Sequence, residues 1–162
     1  MVSARAIAET VTDPELPMIT LAELGVLRDV RERSGRVEVT ITPTYTGCPA
    51  LDAMRDDLRA RLTGAGYTDV EIHTVLDPPW TTDWITEPGR RKLHSAGVSP
   101  PGPAPRRAPG PIPLTLGPTR GVPCPRCGST DTVELSRFGA TACKSLRRCD
   151  ACQEPFEHFK EI

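Results

Sequence analysis

The chain carries no concentration of charge: 20 basic residues stand against 21 acidic ones, a formal net charge of −1, with the two signs interleaved. Such a surface provides no field to hold a phosphate backbone, which argues against nucleic acid as a partner. Long apolar runs are missing too. No stretch approaches the roughly 20 residues a membrane helix requires, and the opening MVSARAIAETVTDPE has no apolar signal region before its first acid, so a cytoplasmic protein is expected. Histidine is scarce, three in 162 residues, and no carboxylate and histidine set recurs at the helical spacing of a diiron site. A glycine-rich nucleotide loop is also lacking. Diiron and nucleotide-dependent chemistries therefore have no visible carrier.

Proline, by contrast, is abundant. Of 18 prolines, half lie between Val98 and Pro123. That break in composition divides the chain into a first domain over 1–98, a Pro-rich linker over 99–122 and a small second domain over 123–162. The linker text SPPGPAPRRAPGPIPLTLGPTRG has too little apolar surface to fold alone and reads as semi-rigid and extended. An ordered arm stays open, because Ile112, Leu114 and Leu116 alternate and can add a strand to a sheet edge.

In the first domain Ser3 is placed to cap a short helix carrying Ile7 and Val11, and Thr20 with Glu23 forms a capping box on a turn ending at Gly25. Strands Val26 to Arg33 and Arg36 to Thr42 flank Ser34 and Gly35, a hairpin signal. Pro49 suits a first helical position, after which Leu51, Met54, Leu58 and Leu62 share one face until Gly64 and Gly66. Alternation from Thr68 to Leu76 returns the chain to the sheet through a parallel crossover, and a last helix is expected over Gly89 to Ala96. The fold class is α/β (α+β): a small three-stranded sandwich with helices on one face, joined to a metal-binding ribbon.

That ribbon rests on cysteine spacing. In a reducing compartment six cysteines point away from disulfides, and CPRC at 124–127 with CDAC at 149–152 has the pattern of a zinc ribbon. The two-residue gap lets both thiolates of a knuckle face one ion, with Gly128 supplying the permissive backbone. Cys124, Cys127, Cys149 and Cys152 are the expected ligands of a structural zinc ion, although four thiolates also suit an iron–sulfur cluster or mononuclear iron. Strands Thr132 to Ser136 and Lys144 to Arg148 form the ribbon's hairpin, with Phe156 and Phe159 covering its apolar side. Cys143 is a fifth thiol nearby, either a small buried apolar residue or an auxiliary ligand for metal exchange.

Three segments of the first domain stand out: Asp13 to Pro17 (DPELP), Thr42 to Leu51 (TPTYTGCPAL) and Asp77 to Glu87 (DPPWTTDWITE). The second sets Thr46 and Cys48 between a strand end and a helix N-terminus, where the helix dipole favours thiolate. The third leaves the neighbouring parallel strand at the same edge, so Cys48, Asp77, Trp80 and Asp83 are expected to converge where open α/β sheets place their sites. Cys48 can equally be inert filler, Trp80 and Trp84 core or interface aromatics, and Asp13 and Glu15 turn-stabilising residues. No histidine lies near Cys48 in sequence, which weakens a hydrolase reading and favours a thiolate that holds or passes on a soft metal.

With DPELP, TPTYTGCPA, DPPWTTDWITEPGRRKLHSAGVSPP, CPRCGS, ELSRFGATACKSLRRCDAC and EPFEHFK in view, the chain resembles the PaaD family, the D (or J) component of the phenylacetyl-CoA epoxidase system. Its first domain is similar to that of SufT-type iron–sulfur assembly factors. The resemblance implies a non-catalytic accessory of a multicomponent monooxygenase in aerobic phenylacetate catabolism, whose partners are the oxygenase and reductase subunits or the iron–sulfur assembly machinery. It implies help in loading iron or an iron–sulfur cluster, with Cys48 the transfer thiol and the Zn2+ ribbon a docking module. A stoichiometric interaction or regulatory subunit is the alternative, and copies pairing as a homodimer through the first domain's sheet edge stay open.

Overall fold

The computed structural model describes residues 2–105 and 121–162. They separate into two compact units, Met1–Lys92 and Leu93–Ile162, and the division falls ahead of the Val98 boundary read from composition. Among the described residues no helix is long and apolar enough to cross a membrane.

The first unit opens with α1 (Ala4–Ala8), whose N-cap Ser3 accepts a hydrogen bond from the Ala6 amide at 3.3 Å. Strands β1 (Leu27–Arg33) and β2 (Arg36–Ile41) pair antiparallel with Val30 opposite Val39. Ser34 and Gly35 between them have φ of 49° and 84°, the left-handed pair that matches the twist of a two-residue hairpin. Helix α2 (Leu51–Gly64) crosses to β3 (Asp69–Thr74), which lies parallel to β2 with Ile72 opposite Val39. The sheet order is β1-β2-β3. Met54, Leu58 and Leu62 of α2 are buried, as are Val37, Val39 and Ile41 of β2, so one helix face meets one sheet face.

Two expectations shift here. The helix begins at Leu51 with Ala50 as its cap, so Pro49 stands outside it rather than in its first turn. The last helix, α3, spans Glu87–Ser95 and starts earlier than Gly89. Gly89 lies where α3 makes a close approach: a Cβ there would stand 2.9 Å from Ile19 Cδ1 and 3.0 Å from the Glu23 carbonyl.

The second unit is a four-stranded sheet rather than a hairpin, with β4 (Val98–Ser99), β5 (Thr132–Ser136), β6 (Lys144–Cys149) and β7 (Pro155–Phe159) in the order β4-β7-β6-β5. β4 pairs parallel with β7, and beyond it the Gly102 amide donates to Glu161 at 2.9 Å. The start of the stretch read as linker is thus built into this unit, because an edge strand tolerates neighbouring prolines. The alternating Ile112, Leu114 and Leu116 lie outside the described residues. Nor do Phe156 and Phe159 cover one side. Their spacing along β7 puts them on opposite faces, and both are buried.

Candidate functional site

In the first unit three loops leave one edge of the sheet. Because β2 and β3 are parallel and β1 antiparallel, the segments after Ile41, after Thr74 and before Leu27 all meet there, tied by Thr42 N–H to the Val26 carbonyl and Val75 N–H to the Ile41 carbonyl, each at 2.9 Å. The first of the three unusual segments is folded back on itself. The Asp13 amide donates to the Ile19 carbonyl, and the buried Asp13 carboxylate accepts from the Glu15 and Leu16 amides at 2.8 and 2.9 Å. Asp13 therefore serves as an anchor of its own turn, and Glu15 is half-buried beside it.

The second segment makes a turn closed by Cys48 N–H to the Tyr45 carbonyl at 3.3 Å, with Gly47 at φ 85° and Thr46 exposed. Cys48 is 8% exposed, and its carbonyl accepts from Leu51 N–H at 3.2 Å. It stands two residues before the α2 cap rather than at the helix terminus itself. In the third segment Trp80 is buried and its Nε1–H donates to the Leu24 carbonyl at 3.1 Å, which joins this loop to the one preceding β1. Asp77 and Asp83 are exposed. Of the residues on these segments, Asp13, Thr44, Cys48 and Trp80 are buried, whereas Thr46, Asp77 and Asp83 are exposed.

A feature the sequence reading missed supports this edge. The Arg28 guanidinium lies 3.5 Å over the Trp84 ring, and Trp84 in turn crowds Gly25, whose φ is 76°. A Cβ on Gly25 would fall 2.6 Å from Trp84 Cβ, so glycine is required there by both φ and space. His73 is exposed and pairs with Glu71 at 3.4 Å.

In the second unit the sulfurs of Cys124, Cys127, Cys149 and Cys152 lie within 4.8 Å of one another, with Cys124 to Cys152 at 3.8 Å and Cys127 to Cys149 at 3.6 Å. Tetrahedral thiolates each about 2.3 Å from one ion stand about 3.8 Å apart, so the donor set fits a zinc-sized tetrahedral centre. Each knuckle is closed by its backbone: Gly128 N–H donates to the Cys124 carbonyl at 2.9 Å, and Cys149 N–H to the Glu154 carbonyl at 3.0 Å. Gly128 has φ 76°, and Gln153, at the same place after the second pair, has φ 63°. Sequence reading found the first because glycine announces it.

The thiols are held at unequal acidity. The Cys152 N–H bond, with further thiol and amide donors, brings Cys149 down to about 7. The Glu154 N–H bond favours the Cys152 thiolate, yet local desolvation together with the Cys127, Cys149 and Cys124 thiols pushes Cys152 up to about 12. Four crowded sulfurs cannot all ionise alone, and a dication is the complement that lets them. Cys143 takes no part in this set. It is buried, its Sγ lies 3.0 Å from Thr141 Oγ1, and it precedes β6 whereas Cys149 ends it, roughly 20 Å away along an extended strand.

These two arrangements define a pairing of protein classes. Residues 5–74 match the model described as iron-sulfur cluster assembly protein, and residues 108–160 that of the PaaD zinc beta ribbon domain. Across 157 residues, 97% of this chain and 90% of the relative, the sequence is 42% identical to the Escherichia coli (strain K12) protein named for the D component of 1,2-phenylacetyl-CoA epoxidase. The chain belongs to the PaaD family. Its first part is also 36% identical over 77 residues to the Fe-S protein maturation auxiliary factor YitW of Bacillus subtilis (strain 168), covering 46% of this chain and 74% of that one. Among solved structures it is similar to a domain of unknown function (DUF59) from Bacillus anthracis, with a TM-score of 0.52 and 27% identity over 56% of this chain and 87% of that chain.

Proposed function

We propose that this protein is a non-catalytic accessory of the phenylacetyl-CoA epoxidase system that helps assemble an iron or iron–sulfur centre in the oxygenase or reductase components. The observation that carries the reading is the union, in one chain, of an iron–sulfur-assembly domain with a PaaD-type ribbon. Cys48 is the transfer thiol in this account. Its position in a tight turn among three interlocked loops, 8% exposed, suits a thiolate that meets its metal only when a partner opens or abuts the edge. Cys124, Cys127, Cys149 and Cys152 hold zinc, which supplies the ribbon's folding energy and no chemistry. Loading is tested by producing the epoxidase components with wild-type or Cys48→Ser protein and measuring their iron and sulfide. The expected result is a fall in metal content with the variant still folded. Unchanged content would remove Cys48 from the account.

One observation favours the second reading, a component that stays bound. Trp80 is buried and so cannot serve as its contact, but Val133, Leu135 and Phe138 of the ribbon are 39%, 50% and 65% exposed. A stoichiometric complex that survives purification and is lost in Leu135→Asp would support that reading.

A further inference from the structure

The polar face of the ribbon's sheet holds an unassigned site. We infer that a cavity of about 470 Å³ in this unit binds a small organic carboxylate with an apolar body. The volume lies in the range of small-molecule pockets. Its floor comes from β6, where Ser145 and Arg147 are two residues apart and so share one face, with His158 directly opposite Ser145 on β7.

Two donors on this floor lack partners. Ser145 is fully buried and its Oγ makes no hydrogen bond, and Arg147, 3% exposed, has no partner for Nε. The guanidinium's other nitrogens reach Glu134 and the Thr132 carbonyl only at 3.5 Å, the long limit of such bonds. Buried donors left this way are costly, and acceptor oxygens brought to them offset that cost.

The rest of the lining decides what kind of anion. His158 is engaged by the Ser99 carbonyl at 3.2 Å and by Glu161 at 3.5 Å, and Lys160 Nζ by the Arg137 carbonyl at 3.0 Å. Glu161 accepts from Gly102 as well. Arg147 and Lys160 are thus set against two carboxylates, Glu134 and Glu161, so net charge draws no anion and opposes a phosphate dianion more than a monoanion. The choice of a carboxylate rests on the open Arg147 Nε and the Ser145 hydroxyl. Pro100, Pro103, Pro105 and Pro123 supply apolar walls, so the carboxylate's body is apolar too.

The test is calorimetric titration of the full, metal-loaded chain with benzoate, set beside acetate and inorganic phosphate. Saturable benzoate binding is expected, with acetate at least about tenfold weaker for want of an apolar body. Ser145→Ala removes a hydroxyl that has no partner in the fold, so it should leave folding intact and weaken benzoate about tenfold. Arg147→Met should abolish binding. A flat benzoate titration, equal affinity in wild type and Ser145→Ala, or phosphate binding more tightly than benzoate would each overturn the assignment.

Discussion

In the first unit Val37, Val39, Ile41, Leu58 and Leu62 are fully buried between sheet and helix, whereas the ribbon's apolar cluster is Cys124, Cys149 and Phe156 with Val122 packed against it. The ribbon's sheet instead buries Lys144, Ser145, Arg147 and His158. Lys144 is neutralised by Glu157 at 2.6 Å, and Arg147 reaches only distant partners. Burying such groups returns little net stability even when they are paired. One unit therefore has an extended apolar core of its own, whereas the other sets only a small apolar cluster around its four cysteines, so on the proposed zinc reading it folds on its metal. On that reading the chain uses cysteine in two ways: four sulfurs that build a structure, and one thiol set into a structure already built.

The largest effect that would break this contrast is loss of a ribbon ligand. Cys149→Ser should release the metal and unfold the ribbon, a loss on the order of 10 kcal/mol of metal-linked folding energy, while hydrogen exchange in β1, β2 and β3 stays slow. Cys143→Ser should keep the metal, since Cys143 stands at the far end of β6. If the first unit loses protection along with the ribbon, the two do not fold by separate means.

A smaller effect sharpens the same division from the other side. Gly25→Ala places a Cβ against Trp84 and forces a left-handed φ, and should cost the first unit about 1–3 kcal/mol in denaturant unfolding. Metal retention by the ribbon should not change.

The smallest concerns acid. The hydrogen bond from His158, helped by the Gly102 amide, holds Glu161 down at about 2, below its ordinary 4.5. A depressed carboxyl stabilises the fold fully above its unfolded value and loses that contribution as the pH falls through 4.5 toward 2. The side chain is 39% exposed, so screening limits the effect to about 0.5 kcal/mol. Glu161→Gln should flatten ribbon stability across that window, measured as the difference between the two proteins.

What the sequence disclosed follows the range of the forces involved. Paired cysteines at fixed spacing, Ser34 and Gly35 at the hairpin, and the apolar face of Met54, Leu58 and Leu62 are local signals, and each marks its element, although α2 starts at Leu51 rather than at Pro49. β4 is only Val98–Ser99 and exists because β7, far along the chain, lies beside it. No local pattern marks such a strand. Gln153 adopts the same left-handed turn as Gly128 without the residue type that announces it. At the sheet edge, the segments around Asp13, Cys48 and Trp80 were recognisable by their odd composition. Yet that Asp13 binds its own turn, that Trp80 bonds to Leu24 and that Arg28 stacks on Trp84 are products of distant pairing.

The division between structural and working cysteines is tested most directly by metal and sulfide analysis, with absorption spectra, on protein purified without oxygen as wild type, Cys48→Ser and Cys149→Ser. Zinc near one per chain should be retained in Cys48→Ser and lost in Cys149→Ser, while any iron and sulfide carried by the chain should disappear in Cys48→Ser. Zinc lost with Cys48, or iron and sulfide held by the ribbon and removed by Cys149→Ser alone, would contradict that division.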